Sequence, residues 1–230
     1  MLSLKNCYPS LIKDMTLSYG GSQLWSDSAV IQKCGCGPVA AMDAAIYLSR
    51  FHGGGNRQLS SLPPDGPIPC SAYMSLLRRF CLRYFPIIPP LGINPMVLTV
   101  GLNRLFHDEK IPFKATVYMA TEKIWAKIEE GLQSDTPVLL AIGQNYPRVW
   151  QKNRLAFYIK RSGGNYEAAS GAKAHFVSIT GMDETWLCIS SWGNKYYINR
   201  TELTRFIRDN SRQWLCGIIY VQAKKCYKLW

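Results

Sequence analysis

Two side chains in this sequence are set for covalent chemistry, a thiol and an imidazole. Cys36 stands in Gln32-Lys33-Cys34-Gly35-Cys36-Gly37-Pro38-Val39-Ala40-Ala41-Met42, bracketed by glycines and followed by an apolar run of helical character. A thiol delivered to the first turn of a helix lies among unpaired backbone N–H groups, at the positive end of the helix dipole. That setting lowers a cysteine pKa and favours the nucleophilic thiolate. Gly35 and Gly37 leave room for a substrate backbone to approach, and Pro38 suits the first turn, where no N–H partner is needed. The same residues also describe a turn before a core helix whose cysteines are buried and inert.

A cysteine nucleophile needs a base, and histidine is the side chain that titrates near neutral pH. The chain has 3 histidines. His52 sits at the glycine stop of the helix that begins near Cys36, on the order of 20 Å away along its axis. His107 ends another helix, again at a negative dipole end, which is a structural setting. His175 opens the run Ala174-His175-Phe176-Val177-Ser178-Ile179-Thr180-Gly181, at the mouth of a strand. By elimination and by setting, His175 is the candidate base.

The elements that must position these groups change character along the chain. Apolar periodicity predicts helices over about 37–51, 71–84 and 95–107, and a fourth from a Thr121 cap to about 132. Short β-rich runs at 113–119, 138–142, 155–159, 175–181, 185–189, 195–198 and 214–221 read as an antiparallel sheet or half-barrel. Helices followed by strands indicate an α+β fold. We expect a single domain over 1–230, with a mainly helical lobe at 1–110 carrying Cys36 and a β-rich lobe at 111–230 carrying His175.

With 230 residues, 47% of them hydrophobic, the chain has enough apolar content for a core without disulfide staples. No apolar run approaches the roughly 18 residues of a membrane span, and no secretory h-region follows Met1. The expectation is therefore a cytoplasmic product whose 8 cysteines are reduced thiols. Cys34-Gly35-Cys36 lacks a second ligand pair at zinc spacing, so neither a metal nor an organic cofactor is expected. The formal charge of +12 favours acidic partners, but the basic residues are scattered, as at Lys152-Arg154 and Lys224-Lys225. No nucleic-acid motif accompanies them, and a basic solvated face is the plainer reading.

Taken in order, Cys-Gly-Pro-Val-Ala-Ala-Met, the Pro-Val-Leu-Leu strand, His-Phe-Val-Ser-Ile-Thr-Gly and Ser-Ser-Trp-Gly resemble the papain-like cysteine peptidases. Within that superfamily the chain is most similar to bacterial peptidases that cleave double-glycine leader peptides and to their stand-alone relatives. The resemblance runs through about residues 19–222. It implies a helical half packed on a β half, with Cys36 as nucleophile and His175 as general base, then acid. The family's Asn or Asp that orients the histidine falls at Ser190, a departure, since a hydroxyl lacks an amide's reach and a carboxylate's charge. Asn194 or Asp183 are the alternatives. The family's oxyanion-hole glutamine is either Gln32, four positions before Cys36, or Gln23, thirteen before and in a glycine turn anchored by Trp25. The implied function is a thiol hydrolase acting on a peptide or protein. A silent peptide-binding domain and a Cys/His acyltransferase are the other readings.

Overall fold

The structure, a computed structural model, describes residues 1–55 and 57–224; Asn56, Lys225 and Cys226 lie outside the described residues. The first half contains β1 (Leu2–Ser3), β2 (Leu11–Lys13), β3 (Thr16–Leu17), α1 (Ala29–Cys34), α2 (Cys36–His52), β4 (Ile68–Pro69), α3 (Cys70–Arg83) and α4 (Pro95–Asp108). There follow β5 (Phe113–Met119), α5 (Lys123–Gln133), β6 (Val138–Ile142), β7 (Leu155–Lys160), β8 (Tyr166–Ala172) and β9 (His175–Met182). The chain then adds β10 (Trp186–Ser191), β11 (Asn194–Asn199), α6 (Arg200–Asn210) and β12 (Gly217–Ala223). This mixture of helices and antiparallel sheet is α+β.

The large sheet runs β5-β12-β6-β9-β10-β11-β7-β8, with β1 pairing to β9 as its ninth strand. Its strands alternate between two cores, as a period of two requires. Leu139, Ala141, Phe176 and Ile219 face α2, α3 and α4. Val138, Leu140, Val177 and Ile179 face the other way, into a second core with α5 and α6. Helices therefore cover both faces of the sheet, those of the first half on one side and α5 and α6 on the other. The amphipathic α6, with Leu203, Phe206 and Ile207 inward, was not foreseen, and neither was β8. β8 is mostly exposed and rich in Ala, Ser and Gly, so it carries no hydrophobic alternation to read. The foreseen strand at 214–221 begins only at Gly217, because Arg212–Cys216 is occupied by a hydrogen-bonded turn. Thr121 does not cap α5, which starts at Lys123 without a side-chain cap.

Helix α2 is the element on which the first half is built. Every residue from Gly37 to Leu48 is buried, so the helix is enclosed on all sides instead of along one stripe. Its run of alanines permits that enclosure by keeping neighbouring helices close. Among the described residues no helix is long and apolar enough to cross a membrane. The seven cysteines described are free thiols.

Candidate functional site

Gly35 alone separates α1 from α2, and Cys36 is the first residue of the longer helix. The half-buried thiol meets the beginning of β9. The backbone N–H groups of Phe176, Gly37 and Cys36 itself face the sulfur and favour its thiolate. Burial outweighs them and leaves the thiol above its ordinary value. This corrects the expectation that the helix terminus lowers it. Unpaired N–H groups stabilise a thiolate, but removing the sulfur from water costs more here.

The Phe176 N–H belongs to the peptide that joins it to His175, so Cys36 and His175 line one cleft at the start of β9. His175 is buried, and its Nε2 lies 2.8 Å from Ser191 Oγ. The Trp192 indole stacks on the imidazole, with centroids 4.4 Å apart and planes 25° apart. Among the described residues no carboxylate offsets this desolvation, and burial pushes His175 down to about 3. At neutral pH the resting pair is a thiol and a neutral imidazole.

The serine that meets the histidine is Ser191, not Ser190. The β9–β10 register shifts at Cys188/Ile189, after which Ser190 opposes Ser178. Alternation then turns Ser190 toward α2 and turns Ser191 to the face of His175, diagonally across the pair. Asp183 accepts the N–H groups of Thr185 and Trp186 in its own turn, and Asn194 donates to the Trp192 carbonyl. Neither of these two alternatives engages the imidazole. A carboxylate or amide oxygen facing Nε2 only accepts, which fixes the ring proton on Nε2. A hydroxyl both donates and accepts, so Ser191 holds the ring's direction without selecting its tautomer. We expect Ser191→Ala to cost about 1 kcal/mol of orientation, a roughly fivefold fall in kcat with KM unchanged, read by steady-state kinetics.

Trp192 and Gly193 form the two-residue turn between β10 and β11, with φ of 49° and 77°. Two left-handed residues define the type I′ hairpin that suits sheet twist. A tryptophan seldom accepts that conformation, and here it brings the indole over His175. A Cβ at residue 193 would lie 2.6 Å from the Trp25 ring, so glycine is required on two counts. The turn holds the segment before Gln23: Tyr19 N–H donates to Gly193 O, and Gly193 N–H donates to Gly21 O. Ser190 Oγ donates to the Tyr19 carbonyl at 2.8 Å, which gives Ser190 a positioning role in place of the orienting one.

Gln23, in a 3-10 turn at Gln23–Trp25, is buried and lines the cleft with Cys36 and His175. One of its Nε2 hydrogens is held by the Gln32 carbonyl at 3.1 Å. Gln32 is exposed and its own amide donates to the Ser26 carbonyl. The short helix α1 fills the gap between Gln23 and Cys36, so thirteen positions fold into a local excursion. Gln32 thus lies outside the cleft and steadies Gln23 through its backbone.

One residue of this site was missed from sequence. Asp43 lies two turns after Cys36 on α2 and lines a small cavity beneath the thiol with Gly21, Ser178 and Ser190. Its carboxyl accepts Gly21 N–H at 2.9 Å and the Tyr73 hydroxyl at 2.7 Å. Burial raises it to about 7 against those two hydrogen bonds. A lone carboxyl within an otherwise apolar helix was the available signal. The other two histidines are occupied elsewhere: His52 Nε2 meets the Asp135 carbonyl, and His107 lies beside Asp108.

The cleft of about 610 Å³ therefore joins a thiol at a helix N-terminus, an imidazole at a strand mouth and a buried carboxamide. Those are the parts of a nucleophilic acyl-transfer site. No protein-family model matches the chain, and no curated protein matches it. Among solved structures, one described as a C39-like peptidase from Bacillus anthracis covers 58% of this chain at 16% identity and a TM-score of 0.28. The chain spans 62% of that protein's length. So slight a superposition carries neither fold nor function, which rest on the elements above.

Proposed function

We propose that this chain is a papain-like thiol hydrolase that cleaves a peptide through an acyl-enzyme on Cys36. The observation that carries the reading is the convergence of Cys36, His175 and Gln23 on one cleft. With its proton on Nε2 toward Ser191, His175 presents bare Nδ1 as the base. Cys36 Sγ attacks the scissile carbonyl while the thiol proton passes to the imidazole. The oxyanion accepts hydrogen bonds from the free Nε2–H of Gln23 and from the Cys36 N–H. Collapse breaks the C–N bond, and the amine leaves with the proton from His175. Water, deprotonated by the same imidazole, then attacks the thioester and releases the acid and the thiol. An amine taking the place of water makes the same site an acyltransferase.

Because thiol and imidazole rest neutral, proton transfer accompanies attack instead of preceding it. A second reading rests on that observation and on Ser191: a papain-like domain that binds peptides without turning them over. The two readings separate on cleavage at neutral pH. With its thiol resting neutral, native Cys36 should react with iodoacetamide no faster than a free thiol, while Cys36→Ala should abolish both that labelling and any peptide cleavage. Equal labelling of Cys36→Ala and wild type would refute the hydrolase. Labelling no faster than a free thiol, without cleavage, would favour the binding domain.

A further inference from the structure

Resting on the reading of this cleft as a peptide site, we infer that its substrate is an acidic peptide, whose Asp or Glu side chains meet Lys33, Arg154 and Lys173. These three cations come from separate segments: α1, the approach to β7, and the turn from β8 into β9. All three are exposed and line the cleft that holds Cys36 and His175. Among the described residues no carboxylate lines that cleft with them, and none forms an ion pair with any of the three. Asp43 lines the small cavity below and is engaged by Tyr73 and Gly21.

Elsewhere the scarce acidic groups are spent locally. Asp108 pairs with Arg83, Glu130 with Lys127, Glu167 with Arg161 and Asp209 with Arg208. Of the excess of 27 Lys+Arg over 15 Asp+Glu, three cations stand uncompensated in the cleft lining. A concave surface lined by one sign of charge focuses the field on its ligand and raises encounter rates by about tenfold or more. Three cations flanking a thiol suit two or three carboxylates on an extended peptide. They fall short of the roughly six to ten phosphate contacts typical of a nucleic-acid interface.

The test uses full-length Cys36→Ala protein, so that binding is read apart from turnover. A rhodamine-labelled decapeptide of Glu and Gly is titrated by fluorescence anisotropy against a Gln and Gly peptide of equal length. Acidic-peptide affinity should exceed that of the neutral one at least tenfold at 50 mM salt. It should fall by a similar factor in a variant that also carries Lys33→Glu and Lys173→Glu. It should hold within about twofold when Lys114→Glu, an exposed site on β5 outside the cleft, removes charge instead. Equal affinities for the two peptides, or equal losses in both charge variants, would overturn the proposal. So would a single-stranded oligonucleotide that displaces the peptide at lower concentration, which would assign the cleft to nucleic acid. Charge-selective binding by a protein whose wild-type Cys36 is inert to iodoacetamide would leave this inference standing and remove only the hydrolase.

Discussion

A His175→Gln variant should lose turnover by about a thousandfold while reversing part of the chain's acid sensitivity. The first effect is the removal of the general base, worth roughly 10²–10⁴ in rate. Glutamine keeps a polar contact for Ser191 but cannot take the thiol proton. The second effect follows from linkage. His175 is pushed down to about 3 in the folded chain, against 6.5 for an unhindered imidazole. Its contribution is complete above 6.5 and is lost as pH falls toward 3, where the unfolded chain gains a proton that the folded one refuses. At about one and a third kcal/mol per pH unit, the loss is on the order of 5 kcal/mol.

Asp43 acts with the opposite sign. Its carboxyl is raised from 3.8 to about 7, so its contribution is complete below 3.8 and is lost as pH rises through 7. Between about pH 4 and 6.5 the two slopes oppose each other in the wild-type chain. Removing the imidazole removes its slope and leaves that of Asp43, so His175→Gln should grow more stable, relative to wild type, as pH falls from 6.5 to 4. Urea midpoints measured across that range read the difference directly. Parallel curves would show that the imidazole is not held neutral by burial, and intact turnover would show that it is not the base.

That Cys36 begins a helix and His175 begins a strand was legible because each carries a local signature. Cys36 is marked by its glycines and proline, and His175 by a strand of β-branched and aromatic residues starting at the histidine. Their auxiliaries were not legible, because tertiary geometry decides them. Which of Ser190 and Ser191 faces the imidazole depends on a register shift between β9 and β10, and a one-residue slip exchanges the faces of a strand. The path from Gln23 to Cys36 depends on α1, whose six residues are too few to stand out as a periodic pattern. Asp43 was passed over because its neighbours on α2 read as core. Its place under the thiol becomes clear only when the Gly20-Gly21 turn arrives. Gly20 has φ 78°, and a Cβ there would lie 2.2 Å from Ser190 Oγ and 2.7 Å from the Asp43 carboxyl. The β half was misjudged at β8, where an exposed Ala/Ser/Gly strand is specified by its pairing with β7 and not by its own sequence.

The choice between the two glutamines leads to the second large effect. Gln23→Ala should lower kcat by roughly 10²–10³, about 3 kcal/mol of oxyanion stabilisation, with little change in KM. The carboxamide is buried in the cleft wall, and one of its N–H groups is committed to the Gln32 carbonyl, which leaves the other for the substrate oxygen. That tether uses the Gln32 backbone, so Gln32→Ala preserves it and should change kcat within about twofold. The loss in Gln23→Ala should also be specific to acyl chemistry. Alkylation of Cys36 by iodoacetamide passes through no oxyanion, and its rate should match that of the wild type. If alkylation and turnover fell together, Gln23 would be supporting the thiol's position instead of the oxyanion. If Gln32→Ala suffered the greater loss in kcat, the oxyanion donor would be the exposed amide near α1, and the cleft would have to close around it. The geometry favours Gln23 because its loop is fastened at Tyr19 by Ser190 and at Gly21 by both Asp43 and Gly193. A donor held on three sides keeps its direction while charge develops on the substrate, and that fixed direction is what makes an oxyanion contact effective.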